Sequence, residues 1–309
     1  MITTLSMNPC LDLSLEFPSL KVGSHNVYTS FREDYCSKGI NVSIALKSLG
    51  VETQCAGINF RGNGAKLQER MDSLSIPCRF AMADGDIRLN IKVNDRSKNQ
   101  MTELNSLGVA VPDEVIEDCI RLTVECAAQS SILVMSGRAA LGAGADVYRR
   151  VAEAVSGYPV KVVVDAADEL MREAIKAGPY LIKPNTFELE TTFGCTIHTK
   201  EDVVKACRKI IAGGVPVVCV SMGGDGAMIV DADSAYFAPT LDLEVKGFQG
   251  AGDSVVAGIC LALQKGQDIR EMLRCGVAAA SASLIREGTL LCRRPDFERF
   301  LDEVQIQSI

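Results

Sequence analysis

The sequence predicts an α/β fold in which helices cover a mostly parallel sheet on both faces and a small second sheet stands beside it. Two observations support this prediction. From about residue 130 onward, short apolar runs without alternation are separated by amphipathic stretches, as in buried parallel strands that alternate with helices. In the N-terminal third, two segments alternate strictly between apolar and polar residues, which is typical of strands with one buried face. We expect all 309 residues to form a single domain.

The two alternating segments come first along the chain. Residues 11–17 place Leu or Phe at every second position, and residues 87–94 do the same with Ile, Leu and Val. We expect the segments of about 11–35 and 86–104 to form a small sheet that stands off the main body as a lid. Its apolar face needs a cover, and a second copy of the same face would provide one. The pattern therefore predicts a homodimer through the lid.

The elements of the main body follow in order. The predicted strands are 131–135, 160–164, 180–182 and 215–220, and the predicted helices are 146–156, 169–177, 201–212, 250–264 and 269–285. The last two helices are rich in small residues, so we expect their backbones to pack closely. Internal repeats and low-complexity tracts are not evident.

Composition argues against several classes of partner. Hydrophobic residues make up 47% of the chain and charged residues 23%, which is normal for a globular protein. The formal net charge of −7 argues against nucleic acid and anionic membrane surfaces as main partners. An anionic substrate would have to be held by a few local Lys and Arg residues. We see neither a signal peptide nor an apolar run long enough for a transmembrane helix.

The twelve cysteines are scattered singly, and only two histidines accompany them. None of the cysteines forms a C-x-x-C pair, so zinc-site spacing is absent. Cysteine-rich composition without a secretory signal predicts reduced thiols in a cytoplasmic protein. We expect most of these cysteines to be small core residues.

The strongest chemical motif is Gly250-Ala-Gly-Asp253, which leads directly into a predicted helix. Glycines let the backbone approach a ligand, and the unpaired N–H groups of a helix start favour anions. A carboxylate beside such an anion hole can take a proton from a hydroxyl while the N–H groups stabilise a phosphoryl group in transfer. The alternative is an ordinary Gly-rich turn with an Asp favoured by the helix dipole.

Other phosphate and hydrolase motifs are absent. The sequence contains no Gly-Lys dipeptide and therefore no Walker A loop. It also lacks a G-x-S-x-G elbow and a G-x-G-x-x-G stretch after the first strand.

Six stretches resemble, in the right order, the motifs of the ribokinase-like, PfkB-type carbohydrate kinases. They are Asn8-Pro-Cys-Leu-Asp12, Lys38-Gly-Ile-Asn-Val42, Ser136-Gly137, Ile182-Lys-Pro-Asn185, Val220-Ser-Met-Gly-Gly-Asp-Gly-Ala227 and Gly250-Ala-Gly-Asp253. The first resembles the N-P-A-L-D opening of the branch with 1-phosphofructokinase and tagatose-6-phosphate kinase. The resemblance implies a ribokinase-like three-layer α/β/α sandwich with a β-sheet lid.

The same resemblance implies an activity. The enzyme would transfer the γ-phosphoryl group of ATP, with Mg²⁺, to a hydroxyl of fructose 1-phosphate, tagatose 6-phosphate or fructose 6-phosphate. Asp253 would be the general base, and the backbone N–H groups of Ala251, Gly252 and Asp253 would hold the phosphoryl group after the turn at Gly250. One rival is a kinase of an unphosphorylated sugar or nucleoside. Another is a catalytically silent sugar-phosphate or nucleotide sensor of the same fold.

The residues implied to hold the acceptor are Asp12, Lys38, Gly39, Asn41, Arg88 and Arg138. Asp12, Gly39 and Asn41 would contact the sugar, whereas Lys38 and Arg88 would bind its existing phosphate. The alternatives are a solvated edge-strand charge for Asp12, a helix cap for Asn41 and a plain surface charge for Arg88. Arg138 would either add a phosphate contact or fill the pocket.

The residues implied to hold the nucleotide are Lys183, Asn185, Ser221, Gly223 and Gly226, with Glu188 organising Mg²⁺ through water. The alternative for 183–188 is a helix start with a capping Glu. The alternative for 221–226 is a tight hairpin turn without a ligand.

The chain also departs from the family motifs. Cys36-Ser37 stands in place of Gly-Gly, and Arg138-Ala139-Ala140 follows Gly137 in place of Ser-Leu-Pro. Val164-Asp-Ala-Ala lacks the polar D-x-S-G, and Gly247-Phe-Gln stands where the family has a polar residue and Thr. Since the predicted base is kept, we interpret these changes as an altered sugar preference.

Overall fold

The structure, a computed structural model, describes residues 1–286, 288 and 290–309. The strands are β1 (Ile2–Ser6), β2 (Cys10–Phe17), β3 (Ser30–Cys36), β4 (Thr53–Phe60), β5 (Cys78–Ala83), β6 (Arg88–Asp95), β7 (Gln100–Asn105), β8 (Ile132–Ser136), β9 (Lys161–Asp165), β10 (Leu181–Ile182), β11 (Val217–Ser221), β12 (Ala227–Val230), β13 (Ala235–Ala238) and β14 (Gln307–Ser308). The helices are α1 (Lys38–Ser48), α2 (Ala65–Ser73), α3 (Asp113–Ala127), α4 (Val147–Ala154), α5 (Asp168–Ile175), α6 (Thr186–Phe193), α7 (Lys200–Ala212), α8 (Ala251–Gln264), α9 (Ile269–Leu284) and α10 (Arg294–Glu303).

The large sheet has ten strands in the order β14-β13-β12-β11-β10-β9-β8-β1-β4-β5. The seven strands from β11 to β5 are parallel to one another, and β12 to β14 extend the sheet with antiparallel pairings. The predicted mostly parallel sheet is therefore confirmed.

Two hydrophobic cores lie on the two faces of this sheet. On β8, Leu133 points into one core, whereas Ile132 and Val134 point into the other. Helices α2 to α7 cover the first face, and α8 to α10 with most of α1 cover the second. Because both faces are covered, strands such as β8 and β11 contain runs of consecutive apolar residues instead of alternating. The three-layer α/β/α architecture is confirmed.

Helices α8 and α9 pack with their backbones in close approach, as their small residues predict. A Cβ atom added at Gly258 would lie only 2.2 Å from the carbonyl oxygen of Cys275 on α9. Only glycine fits at this crossing, because the space for a side chain is taken by the neighbouring backbone.

The small sheet has four strands in the order β3-β2-β6-β7 and is separate from the large one. Strands β2 and β6 are parallel, with Leu11 beside Leu89 and Asp12 beside Asn90. Apolar residues therefore share one face and polar residues the other, as the alternation predicts. On the apolar face, Phe31, Leu89 and Leu104 are 59%, 40% and 55% exposed.

Cysteine burial follows the prediction. All twelve cysteines carry free thiols, and ten of them are buried. Within the part of the chain that the structure describes, no helix is long and apolar enough to span a membrane.

Candidate active site

A cavity of about 730 Å³ lies between the polar face of the small sheet and the carboxyl ends of the parallel strands. In open α/β sheets, ligands bind at this edge. The small sheet contributes Cys10, Asp12, Cys36, Arg88 and Asn90, the start of α1 contributes Ser37, Lys38 and Asn41, and the loops after β8 and β9 contribute Ser136–Ala139 and Ala166–Leu170.

The start of α1 projects two polar side chains toward this cavity. Ser37 caps the helix by accepting a hydrogen bond from the backbone N–H of Ile40 at 3.3 Å. This fixes the first turn of α1, so that Lys38 and Asn41 both line the cavity.

Asp165, at the end of β9, links two lysines from different elements. It is completely buried, and its carboxylate lies 3.2 Å from the ammonium of Lys38 and 3.2 Å from that of Lys183. Ser136 donates a further hydrogen bond to it at 3.1 Å. Burial raises the pKa of Asp165, but Lys183 and Lys38 outweigh burial and hold that pKa below its usual value. Sequence reasoning assigned no role to Asp165, although a carboxylate that ends a buried strand at this edge is a recognisable signal.

The start of α8 leaves its first N–H groups without helical partners. Gly250 adopts a left-handed conformation with φ 76°. The first helical hydrogen bond runs from the N–H of Ser254 to the carbonyl of Gly250 at 2.8 Å. The N–H groups of Ala251, Gly252 and Asp253 therefore precede the helical pattern. Gly252 is exposed, and the atom nearest to a Cβ built on it is the Lys183 nitrogen at 3.9 Å. The helix start and Lys183 together form a positively polarised group.

Asp253 itself is buried, with only 5% of its surface exposed. Its carboxylate accepts a hydrogen bond from the side-chain amide of Asn41 at 2.8 Å. Burial raises the pKa of Asp253 to about 6, an effect opposed by Lys38 and Asn41 and reinforced by Asp165. Asp253 does not line the cavity, but Asn41, which binds its carboxylate, does.

Asn41 has an unused acceptor beside this carboxylate. Its amide nitrogen binds Asp253, which orients its side-chain oxygen away from that carboxylate. That oxygen is buried and has no hydrogen-bond partner among the described residues. A buried acceptor without a partner is costly, so a hydroxyl donor from a ligand would be favourable there.

Asp12 is held in an ion pair on the polar face of the small sheet. Asn90 donates to it at 2.8 Å, and the buried Lys92 forms a salt bridge with its other oxygen. Burial raises the pKa of Asp12, but Lys92 and Asn90 outweigh that effect and lower it. The alternative of a solvated edge-strand charge is therefore wrong. Sequence reasoning missed Lys92, although it alternates with the apolar residues of β6 as Asn90 does.

The two predicted arginines line the same cavity. Arg88 is half-buried and donates to the side-chain oxygen of Asn90 at 2.8 Å and to the carbonyl of Ser106 at 3.2 Å. Its buried Nε lacks a partner within the described part of the chain. Arg138 is exposed at the cavity wall. With Lys38, they give the cavity three cationic groups that suit an anionic ligand.

Two predicted glycines lie in close backbone contacts. A Cβ on Gly39 would lie 2.2 Å from the carbonyl oxygen of Leu5, and Gly39 does not line the cavity. A Cβ on Gly226 would lie 2.0 Å from the carbonyl oxygen of Ala238. Gly39 thus lets α1 pack on β1, and Gly226 lets the turn after β11 approach β13.

Asn185 and Glu188 form a reciprocal cap at the start of α6. The backbone N–H of Glu188 donates to the Asn185 side chain at 2.8 Å, and the N–H of Asn185 donates to the Glu188 carboxylate at 2.8 Å. The capping alternative is therefore correct for these side chains. Glu188 also lines the main cavity, while Lys183 is buried behind it against Asp165.

A tight turn contains Ser221, Gly223 and Gly226, and a tight hairpin turn was the alternative interpretation of this segment. The backbone N–H of Met222 donates to the carbonyl of Gly226 at 2.8 Å. Ser221 and Asn185 form a β-bridge, so the two predicted nucleotide segments are neighbours. None of the three residues lines the main cavity, and a second cavity of about 520 Å³ adjoins this turn at Met222 and Asp225.

The chain is similar to known proteins along nearly its whole length. A model of the pfkB family carbohydrate kinases matches residues 6–296. The 1-phosphofructokinase of Borreliella burgdorferi is 29% identical over 100% of this chain and 99% of its own. The 1-phosphofructokinase of Bacillus subtilis is 31% identical over 93% of both. The crystal structure of Escherichia coli phosphofructokinase-2 in complex with fructose-6-phosphate covers 98% of both chains at 26% identity, with a TM-score of 0.91.

Proposed function

The chain belongs to the pfkB family of carbohydrate kinases and is an ATP-dependent sugar kinase, and from that premise we propose that it phosphorylates a free hydroxyl of fructose 1-phosphate with Asp253 as the general base. The observation that carries the proposal is the pairing of Asp253 with Asn41 beside the exposed start of α8. The names of the most similar relatives support fructose 1-phosphate as the acceptor.

The catalytic step is a proton transfer coupled to phosphoryl transfer. The ionised Asp253 takes the proton of the acceptor hydroxyl, and the unused side-chain oxygen of Asn41 orients the sugar by accepting from a second, neighbouring hydroxyl. The N–H groups at the start of α8 and the ammonium of Lys183 stabilise the charge on the phosphoryl oxygens. Catalysis is then mostly positioning and charge stabilisation, which suits a preorganised site of this kind.

ATP and Mg²⁺ are assigned to the side of the site formed by Lys183, Asn185, Glu188, Ser221 and Gly223, with Gly226 shaping the turn. The Glu188 carboxylate faces the cavity and gives only one oxygen to the cap, which leaves the other for Mg²⁺ or its water. Mg²⁺ prefers oxygen ligands and keeps several waters, so a single carboxylate fits. When bound, Mg²⁺ would neutralise charge on the transferring phosphates.

The acceptor is assigned to the polar face of the small sheet. Asp12 accepts a hydrogen bond from a sugar hydroxyl, since its carboxylate has about four lone-pair sites and Asn90, Lys92 and Cys10 use three of them. Arg88, Lys38 and Arg138 bind the existing phosphate. The buried, unpartnered Nε of Arg88 supports this role, because a phosphate oxygen would satisfy it.

The test is ATP consumption by the purified protein across fructose 1-phosphate, fructose 6-phosphate, tagatose 6-phosphate, unphosphorylated hexoses and nucleosides. We expect fructose 1-phosphate to have the highest kcat/KM. Higher kcat/KM for an unphosphorylated acceptor would favour the rival kinase, and no turnover with any acceptor would favour a silent sensor.

Arg88→Leu is expected to raise the KM for the phosphorylated acceptor by about tenfold to a hundredfold, the effect of losing a charged hydrogen bond. The KM for ATP should stay unchanged. Arg96→Leu is the matched control, because Arg96 follows the same strand but pairs at the exposed surface with Glu16. An unchanged acceptor KM in Arg88→Leu would remove Arg88 from the phosphate site.

The pKa of Asp253 predicts the acid limb of the pH profile. Because the base form of Asp253 is required, kcat/KM should fall as pH decreases through about 6. The measurement is kcat/KM for fructose 1-phosphate between pH 5 and pH 8, with coupling enzymes in excess. An acid limb centred near the ordinary pKa of an Asp, about 4, would contradict the buried base.

We also propose that the small sheet is a lid within a single kinase domain and joins two copies of the chain. Its exposed apolar face, with Phe31, Leu89 and Leu104, supports an isologous contact. Sedimentation at micromolar concentration should show a dimer, and Leu89→Lys should convert it to a monomer. Leu74→Lys is the control, since Leu74 is similarly exposed at the end of α2. A monomeric wild-type protein would disprove this proposal.

A further inference from the structure

Two cysteines and a carboxylate meet on the polar face of the small sheet. Cys10 on β2 and Cys36 on β3 are cross-strand partners, and their sulfur atoms lie 3.5 Å apart. The Cys10 thiol also contacts the Asp12 carboxylate at 3.4 Å. The three ligand atoms lie within 4.8 Å of one another, and all three residues are buried but line the main cavity.

These separations match the edges of a tetrahedral zinc site. With Zn–S distances of about 2.3 Å and Zn–O distances of about 2.0–2.2 Å, tetrahedral angles place two sulfurs about 3.8 Å apart and a sulfur and an oxygen about 3.5 Å apart. The observed 3.5 Å and 3.4 Å therefore need only small adjustments around an ion.

The charges around this group also suit a divalent cation. Two thiolates, the Asp12 carboxylate, the Lys92 ammonium and Zn²⁺ together carry no net charge, which limits the cost of burial. Zinc binds the thiolate form of cysteine, so binding would displace protons from the two sulfurs.

We propose that Cys10, Asp12 and Cys36 form a zinc site whose fourth position opens into the cavity. The family motifs that this chain resembles have Ala at the position of Cys10 and Gly at that of Cys36. The thiol pair is therefore a feature of this chain, and smaller residues fit at both positions.

Zinc at this position would inhibit binding of the acceptor sugar. This consequence rests on the proposed function, in which Asp12 binds a hydroxyl of the acceptor sugar. An ion on Asp12 occupies a carboxylate oxygen that the sugar needs, so zinc and the acceptor compete. Lys183 and the start of α8 lie on other elements, so ATP binding should be unaffected.

The direct test is titration of the reduced full-length protein with Zn²⁺ against a chromogenic chelator, under anaerobic conditions with a phosphine reductant. We expect one tight equivalent in the wild type and binding at least about a hundredfold weaker in a Cys10→Ala/Cys36→Ala variant. Co²⁺ in place of Zn²⁺ should give the intense visible absorption of tetrahedral thiolate coordination, and the double variant should lack it. Thermal unfolding checks that the variant is folded.

The matched control is Cys55→Ala/Cys78→Ala. These two cysteines are also cross-strand partners, on β4 and β5, but they belong to no metal-ligand group among the described residues. This variant should keep the tight equivalent. The proposal is overturned if the wild type binds no tight equivalent, or if the Cys10/Cys36 variant binds zinc as tightly as the wild type.

The kinetic consequence is measured separately with free Zn²⁺ fixed by a metal buffer. Zinc should raise the apparent KM for fructose 1-phosphate and leave that for ATP unchanged. In the Cys10/Cys36 variant, zinc should change neither KM. A rise in the KM for ATP alone would overturn the competition with the acceptor. Failure of every acceptor in the absence of zinc would instead refute the proposed function, and the chelator titration would still decide the site.

Discussion

Replacing Asp253 with Asn is expected to lower kcat by about a thousandfold or more while the protein stays folded. The Asn side chain has the same shape and keeps the hydrogen bond with Asn41, but it cannot take a proton from the acceptor. The measurement is steady-state kinetics with fructose 1-phosphate and ATP. The KM values should change far less than kcat, because substrate contacts stay in place.

The same variant should be at least as stable as the wild type. The pKa of Asp253 lies above that of an unfolded Asp, so the folded protein binds more protons between pH 4 and about 6. Stability from this group therefore falls as pH rises through that window, and the ionised form is unfavourable at pH 7. Chemical denaturation at pH 7 checks this sign. A clear loss of stability in Asp253→Asn would contradict the inferred burial of charge.

Asp268→Asn is the control for this experiment. Asp268 caps the neighbouring helix α9 by accepting from the N–H of Glu271 at 2.9 Å, and Asn caps a helix about as well as Asp. Its kcat should stay within about twofold of the wild type. If Asp253→Asn turned over at the wild-type rate, Asp253 would not be the base.

Asp165→Asn is expected to lower the free energy of unfolding by about 3–5 kcal/mol, since it removes the shared counter-charge of Lys38 and Lys183. Lys38 can turn toward solvent, but Lys183 is buried and is left without its counter-charge. The activity should fall as well, because both lysines are placed by this carboxylate. Denaturant unfolding at pH 7 measures the loss.

The pH dependence of this loss provides a further check. Because the lysines hold the pKa of Asp165 below its usual value, its contribution is complete above about pH 4 and is lost as pH falls through the lowered pKa. The difference between Asp165→Asn and the wild type should therefore narrow in acid. Glu117→Gln is the control, since the exposed Glu117–Arg150 pair should contribute less than about 1 kcal/mol. A loss of stability no larger than that of Glu117→Gln would contradict the role of Asp165 as the shared counter-charge of Lys38 and Lys183.

The layered fold could be predicted from the sequence because the periodicity of apolar residues is a local signal of secondary structure and burial. Parallel strands such as β8 appear in the sequence as continuous apolar runs, and β2 and β6 appear as alternating segments. In the fold, the polar residues Asp12, Asn90 and Lys92 are buried, while the apolar face of these strands is only partly covered. The helix start at Gly250 was also recognisable, because glycines followed by an Asp are typical of a turn that leads into a helix. The four strands and five helices that were predicted between residues 131 and 285 lie within a few residues of their observed ends, whereas elements such as α3 and β4 were not predicted.

The parts of the site that the sequence did not predict depend on contacts between elements distant in sequence. Asp165 acquires its role only where β9 ends beside Lys38 and Lys183. Lys92 is defined by the register of β6 on β2, and the Cys10–Cys36 pair by that of β2 on β3. Spacing along the chain carries no trace of such pairs. The absence of zinc-site spacing in the sequence therefore does not exclude a site formed between paired strands.

The backbone crossing at Gly258 has a consequence for the tolerance of the enzyme to change. Gly258 lies five residues after Asp253 on the same helix, about 7.5 Å along its axis. Any side chain there would push α8 away from α9 and shift the first turn of α8, which carries the proposed base Asp253. Under the proposed function, substitutions of Gly258 are therefore expected to lower kcat, although Gly258 does not line the main cavity.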